Sequence, residues 1–381
     1  MIYLDSAATA KYSNIDDIIV NAMVTAMKDS WMNPSSLYAI NVKNKIDKCR
    51  ENIAKFINAK SEEVYFTSGS SESNNWAIRG WVDSMLINQL GMIHVITTPI
   101  EHKSILKTIE NDALGAIVHY CNVDKYGFVD YESLESLLNR YKNRSILVSI
   151  NMANNEIGTI QSVRLLSDLV HKYNGVIHID ATQALGHIPI NVKELDVDMM
   201  SCSGHKISSV LRGIGFLYKR NGINISPLIY GTQENGLRGG TENTYGIIGL
   251  SKAIEYCCLN DERKMCNKRN YFVDLLKNKF NCKLNGHSAY RLPNNINVTF
   301  PQNITGESLL YMLDMCDVKI SVGSACNSNS IEPSNVLKAI GLSDEEAMRT
   351  VRFTLPEGIT YEEIDKVIDE IDKCIKLIEI N

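Results

Sequence analysis

The sequence predicts an α/β protein built on a mostly parallel sheet, and three observations carry that prediction. Between about residues 60 and 220, short β-rich runs alternate with amphipathic stretches. The runs are nearly continuous in apolar residues, the pattern of strands buried on both faces with helices as crossovers. At 381 residues, with 44% hydrophobic and 22% charged side chains, the chain is ordinary in composition but too long for one growing core, so a large and a small domain are expected.

In chain order the strand runs are Val64-Tyr65-Phe66, Ile93 to Ile96, Ala116 to Val118, Ser145 to Ile150, Val176 to Ile179 and Val197 to Met200. A glycine-rich stretch over 231–246 follows, then a charged helical pattern over about 247–280 that carries the chain into a second region. That region has strand runs Ile296 to Phe300, Lys319 to Ser321 and Thr350 to Phe353 and a closing helix over about 359–379, and is expected to be a smaller α+β domain. No internal repeat or low-complexity linker interrupts it.

A formal charge of −5 supplies no bulk positive field, so direct nucleic-acid binding is not expected. The N-terminus, Met1 to Ser6, lacks a basic region followed by an apolar core, and no later apolar run reaches membrane-spanning length; a cytoplasmic protein that does not bind membranes is expected. The ten cysteines are scattered without a C-x-x-C pair and read as reduced thiols, Cys257-Cys258 as structural. No metal ligands are assigned.

The chemistry concentrates just beyond the strands, where ligands sit in such sheets. Asp180 ends one strand, and Lys206, in Ser203-Gly204-His205-Lys206, follows the next. A lysine amine for a Schiff base and a carboxylate to keep a pyridine nitrogen protonated are what a pyridoxal phosphate enzyme needs. Thr67 to Asn74, with Ser70 and Ser71, follows the first strand and opens a helix whose N–H groups and hydroxyls can close around a phosphate, although a serine-rich cap serves any helix. His102, in Glu101-His102-Lys103, lies at the same edge, where an imidazole can stack on the cofactor ring and move protons. The remaining histidines considered, His94, His119, His171, His187 and His287, read as polar surface.

Asn151 to Gly158 offers amides for a phenolate or carboxylate, or else a plain asparagine-rich turn, with Gly158 permitting tight geometry. Ser321 to Ser330 is small and polar around one cysteine, Cys326, suited to exposure and reach. Arg352, in Val351-Arg352-Phe353, can fork onto a substrate carboxylate or simply face solvent on an edge strand.

Taken together, NPSS at 33–36, TSGSSESNN, EHK, NNEIG, DATQ, SGHKI, RGGTEN at 238–243, GSAC, EPSNVLKAIG and VRF, in this order and over nearly the whole chain, resemble the cysteine desulfurases of the NifS/IscS type. These are fold-type I pyridoxal phosphate enzymes related to class-V aminotransferases. The resemblance implies a seven-stranded sheet in a large cofactor-binding domain over 14–250, with 1–13 and 251–381 forming the small domain, whose loop at about 321–332 carries the catalytic cysteine.

It further implies that Lys206 holds the cofactor, Asp180 pairs with its ring nitrogen, His102 stacks and shuttles protons, and Gln183 and Asn155 meet the phenolate oxygen. Ser71, Ser203 and His205 would hold the phosphate, joined by Thr241 from a second subunit of a homodimer. Arg352, with Asn33 and Asn155, would take the carboxylate of L-cysteine. Cys326 would attack the substrate sulfur, releasing L-alanine and leaving a persulfide for an acceptor protein that serves iron–sulfur cluster assembly, tRNA thiolation or DNA phosphorothioation.

Three departures stand out. Ser208 to Gly215 is one residue longer than the family's segment and lacks its proline, position 71 is serine where threonine is common, and the chain stops at Asn381 without the longer tail of some relatives. The rival expectations are another fold-type I enzyme, an aminotransferase or a cysteine or selenocysteine lyase, and a non-catalytic assembly subunit.

Overall fold

In a computed structural model of the protein, which describes residues 1–88, 91–111, 114–257, 261–301, 304–322 and 333–380, the expected sheet has seven strands. Their order across the sheet is Val64–Thr67, Gly215–Lys219, Met199–Ser203, Val176–Asp180, Ser145–Asn151, Ile93–Thr97 and Ile117–Tyr120. Gly215–Lys219 runs antiparallel to both neighbours and the other six are parallel.

The continuous apolar runs have a direct structural reading. Because successive side chains leave a strand on opposite faces, Phe66, Val148, Met200 and Phe216 enter one core with helices Ile40–Phe56, Val163–Lys172 and Thr244–Cys257. Their neighbours Tyr65, Leu147, Met199 and Leu217 enter a second core with Trp76, Trp81 and Ile105. Phe216 is fully buried at the centre of this arrangement. Phe216→Ala is expected to cost about 3–5 kcal/mol and Phe216→Leu less, measured as the shift in urea midpoint.

Several sequence expectations shift on inspection. The strand expected at Val197 begins at Met199 and runs to Ser203, because Asp198 turns aside to pair with His171 and Arg220. The run at Ala116 becomes Ile117–Tyr120, a half-exposed edge strand that is not buried on both faces. Gly215–Lys219 was not singled out as a strand because it opens on glycine and closes on lysine; Lys219 is nonetheless buried, its Nζ donating to the Ile223 carbonyl at 3.0 Å. The helical pattern over 247–280 divides into Thr244–Cys257 and Glu262–Phe280.

The second region has its own sheet, in the order Ser321–Val322, Thr350–Thr354, Asn295–Thr299, Lys283–Leu284, all antiparallel. The run at Lys319 splits, since Val318–Lys319 pairs instead with the N-terminal strand Ile2–Tyr3. Closing helix Tyr361–Ile380 places Ile364, Val367, Ile368, Ile371, Cys374 and Ile375 on one face, at helical spacing, against Phe272, Val298 and Phe353. Among the described residues no helix is long and apolar enough to cross a membrane.

Four histidines depart from the polar-surface expectation, one of them His187, whose pKa burial draws down to about 4. His94 is buried against His119, Nδ1 to Nε2 at 2.9 Å, with both rings stacked on Tyr141. His171 bridges Asp196 and Asp198 at 3.2 and 2.9 Å, and its pKa is raised first by the bond to Asp198.

Candidate active site

The carboxyl ends of the parallel strands converge on one recess. Asn151, Asp180 and Ser203 are each the last residue of a strand, and Asn151 pairs in register with Asp180. Asp180 is buried, and its carboxylate is held by neutral donors: Asn74 Nδ2 at 2.8 Å, the Thr182 amide at 3.0 Å and the Thr182 hydroxyl. Its charge is therefore fixed in place without being cancelled.

Lys206 closes the short 3₁₀ turn Gly204–Lys206 that follows the strand ending at Ser203. Its ammonium donates to the carbonyls of Ala7 and Ala8 at 2.6 and 2.9 Å. Gln183 Nε2 donates to the same Ala7 carbonyl at 3.0 Å, and His205 Nδ1 lies 3.2 Å from the Thr9 hydroxyl. The N-terminal segment thus lies across the lysine.

His102 caps helix Lys103–Ile109, its Nδ1 accepting from the Ser104 amide at 3.1 Å. Ser104 Oγ in turn receives Asn74 Nδ2 at 2.9 Å, which links His102 to the holder of Asp180. The ring has an exposed edge but is otherwise surrounded by protein, and this desolvation draws its pKa below the ordinary value; Asp180 opposes the shift, and Lys206 and Lys103 reinforce it. Desolvation likewise brings His205 down to about 4, helped by Lys206, Arg212 and His102, so it is a neutral ring at physiological pH.

Ser70 opens the helix after Gly69, and Ser71 is exposed beside it. Gly69, at φ 149°, lies close to Ser203: an added Cβ would come to 3.4 Å from Ser203 Oγ, so the turn that opens the serine-rich helix is packed beside the end of the strand at Ser203. Gly215 brings the strands together behind it: a Cβ there would meet the Gly69 Cα at 2.7 Å. In the atypical segment 208–215 the Ser208 hydroxyl bonds Asp16, Ser209 Oγ lies 3.3 Å from the same carboxylate, and the buried Leu211 and Ile214 pack against Gly204, next to Lys206.

Arg352 is buried, not on an exposed edge. Its Nη2 meets Asp5 Oδ1 at 2.6 Å, Nη1 donates to the Asn155 carbonyl at 3.1 Å, and Nε is without a partner. Asn155 therefore contributes its backbone, while Asn154 builds the turn by accepting the amides of Glu156 and Ile157 at 2.9 and 3.0 Å. Gly158 has φ 75° and an added Cβ would strike Asn295, so glycine is required there.

Two assigned residues are not drawn into this group. Asn33 is exposed and its Oδ1 accepts the Ser35 amide within its own loop at 2.9 Å, and Thr241 is exposed at the end of a loop that Arg238 ties to Glu72 at 2.8 Å. Cys326 lies outside the described residues. Asn74, Thr182, Ser104 and Asp5 had not been assigned a role; Asn74 sits one helical turn after Ser70 in the same motif, the spacing that could have pointed to it.

A carboxylate that ends one strand and a lysine that follows the next, at the same end of a mostly parallel sheet, are the pairing of the fold-type I class of pyridoxal phosphate enzymes. The aminotransferase class-V family model matches residues 2–367. A cysteine desulfurase IscS from Dictyoglomus turgidum is 42% identical over 98% of this chain and 94% of its own. Among solved structures, a NifS-like protein superposes with a TM-score of 0.89 at 32% identity, covering 99% of both chains. A second, described as SspA in complex with cysteine, gives 0.81 at 33% identity over 93% of this chain and 99% of that one. The chain belongs to the class-V aminotransferase family, among its cysteine desulfurases of the IscS and NifS type.

Enzymes of this family use pyridoxal phosphate, and the residues present fit it. The Lys206 amine, the Asp180 carboxylate held by neutral donors, the His102 imidazole and the hydroxyls of Ser70, Ser71 and Ser203 are the kinds of group that its aldehyde, ring nitrogen, ring face and phosphate require.

Proposed function

We propose that the protein is a cysteine desulfurase that converts L-cysteine to L-alanine and passes the sulfur to Cys326 as a persulfide. The observation that carries this reading is the grouping of Lys206, Asp180 and His102 at the carboxyl ends of the strands, with Lys206 held by neutral carbonyls and the buried Arg352 held by Asp5 and the Asn155 carbonyl.

In this reading Lys206 would hold the cofactor covalently, Asp180 would pair with its ring nitrogen, and His102 would stack on its ring. Gln183 and Asn155 lie toward the phenolate oxygen, and Ser70, Ser71, Ser203 and His205 toward the phosphate, with Thr241 supplied by a second copy in a homodimer. Bound there, the cofactor supplies an electron sink that stabilises negative charge at the substrate Cα. Arg352 takes the substrate carboxylate, with Asn33 and Asn155 beside it, and so fixes which face of the amino acid meets the base. His102, neutral near pH 7 because its pKa is depressed, can accept a proton and return it. The Cys326 thiolate attacks the substrate sulfur, the Cβ–S bond breaks, and its electron pair stays with the carbon skeleton that leaves as alanine.

The same reading divides the chain at 14–250 and at 1–13 with 251–381, a division supported by the separate sheets and cores. A cytoplasmic setting accords with the free thiols found among the described cysteines. The acceptor is a protein of iron–sulfur assembly, tRNA thiolation or DNA phosphorothioation; a pull-down of persulfide-labelled acceptors separates these.

The test is turnover of L-cysteine with a reductant, followed by alanine release and by the mass of a persulfide-bearing peptide. Arg352→Ala is expected to raise KM for L-cysteine by about 10²-fold, as loss of a charge-assisted pair does. Cysteamine, which has no carboxylate, should be handled equally by both forms; an equal KM for L-cysteine in both would remove Arg352 from the binding step.

A further inference from the structure

Glu101 precedes His102 and is 4% exposed. Its Oε1 accepts the Thr98 hydroxyl at 2.6 Å and Asn151 Nδ2 at 3.0 Å. Its Oε2 is buried without a partner, and so is Oδ1 of the same Asn151. Two groups already joined by one bond thus each bury an orphan acceptor. The ion pairs around the recess, Arg352 with Asp5 and Arg238 with Glu72, leave Glu101 out.

An ionised carboxylate is acceptor-only and would leave both orphans unmet, at a cost that a buried charge increases. A carboxylic acid changes the count, because its one O–H is a donor. An acid and a primary amide pair through two antiparallel hydrogen bonds, and the one from the amide is already present. A single proton on Oε2, donated to Asn151 Oδ1, satisfies both atoms at once.

We propose that Glu101 is a protonated carboxylic acid in the native protein, paired with the Asn151 amide as a neutral wall beside Asp180. Asn151 ends its strand in register with Asp180, so the wall lies against the carboxylate that faces the cofactor nitrogen in the reading above. That reading gives the wall its purpose, since Asp180 then carries the charge there alone; the protonation itself does not depend on it. Thr98 and Asn151 are the neutral groups bonded to Glu101, and Asp180 is the ionised one bearing on it, with His102 and His178 in turn under the influence of Asp180. Burial lifts the Glu101 pKa to about 8, against the bonds from Thr98 and Asn151 and with help from Asp180.

The sign of the linkage follows. The folded chain holds a proton that the unfolded chain releases above the ordinary glutamate value of 4.5, so this contribution is complete below 4.5 and fades as pH rises through about 8. Glu101→Gln keeps the shape and the amide pairing at every pH. Relative to it, the unfolding constant of the cofactor-free wild type should grow about tenfold per pH unit within that window.

Infrared difference spectra of holoenzyme against E101Q should show one carboxylic-acid carbonyl band at neutral pH that disappears in alkali. The visible band of the bound cofactor should respond to pH near 8 in wild type and not in E101Q, as a second anion forms beside Asp180. A stability offset that is constant with pH, no acid band, an E101Q protein that fails to fold, or identical titrations of the cofactor band would each overturn the assignment. Loss of cofactor chemistry with the acid band intact would instead count against the reading of Asp180.

Discussion

Lys206→Ala should give a folded, colourless protein with no measurable desulfurase activity, a fall of at least about 10³-fold on the scale seen when a covalent catalyst is deleted. The fold survives because the bonds lost are those to the carbonyls of Ala7 and Ala8, acceptors that water can satisfy at this partly exposed position. The chemistry does not survive, because alanine has no amine with which to form the covalent link. Lys206→Arg sharpens the test: it keeps a cation between the same carbonyls but offers a guanidinium that stays protonated and cannot form the covalent link. Absorbance spectra and alanine release measure both outcomes. A variant that remains yellow and turns over L-cysteine would remove Lys206 from its role.

Much of this site was legible because the fold places strand ends together. The apolar run Val176 to Ile179 announced a buried strand, and the carboxylate that ends it could only lie at the sheet's edge. The lysine after the next strand follows by the same logic, even though that strand's start was misplaced by two residues. What escaped were contacts between distant segments. Asp5 meets Arg352 across 347 positions, and nothing local in Leu4-Asp5-Ser6 signals a partner. Asn74 is one of several small polar residues in its motif, and only the packing of its helix selects it as the group that faces Asp180.

The strand Gly215–Lys219 escaped for a related reason. Its burial comes from neighbouring strands on both sides, which allow a glycine at one end and, at the other, a buried lysine whose amine is satisfied by the Ile223 carbonyl. The same tertiary control explains Arg352. A polar residue on a short strand suggests an edge facing solvent, but its strand lies between Asn295–Thr299 and Ser321–Val322, and the side chain is enclosed.

Cys326→Ser should abolish the persulfide and steady-state alanine release, again by about 10³-fold or more, while L-cysteine still perturbs the cofactor spectrum. Serine keeps the size of the side chain but lacks a thiolate, so binding and the steps at the substrate Cα continue and sulfur has nowhere to go. The buried thiols among the described residues are poor substitutes. Burial raises the pKa of Cys121 to about 11 and of Cys282 to about 12, raises that of Cys374 to about 11, and pushes Cys202 well up, so little thiolate exists at neutral pH. Among the described cysteines Cys316 is the exposed one, and its thiol is also shifted up, first by desolvation and then by its bond to Glu370. Cys316→Ser should therefore retain turnover and the persulfide mass on the peptide containing residue 326. The opposite pattern, with sulfur on Cys316 and full activity in Cys326→Ser, would move the nucleophile to the helix end at Met315 and make the polar run around residue 326 a bystander.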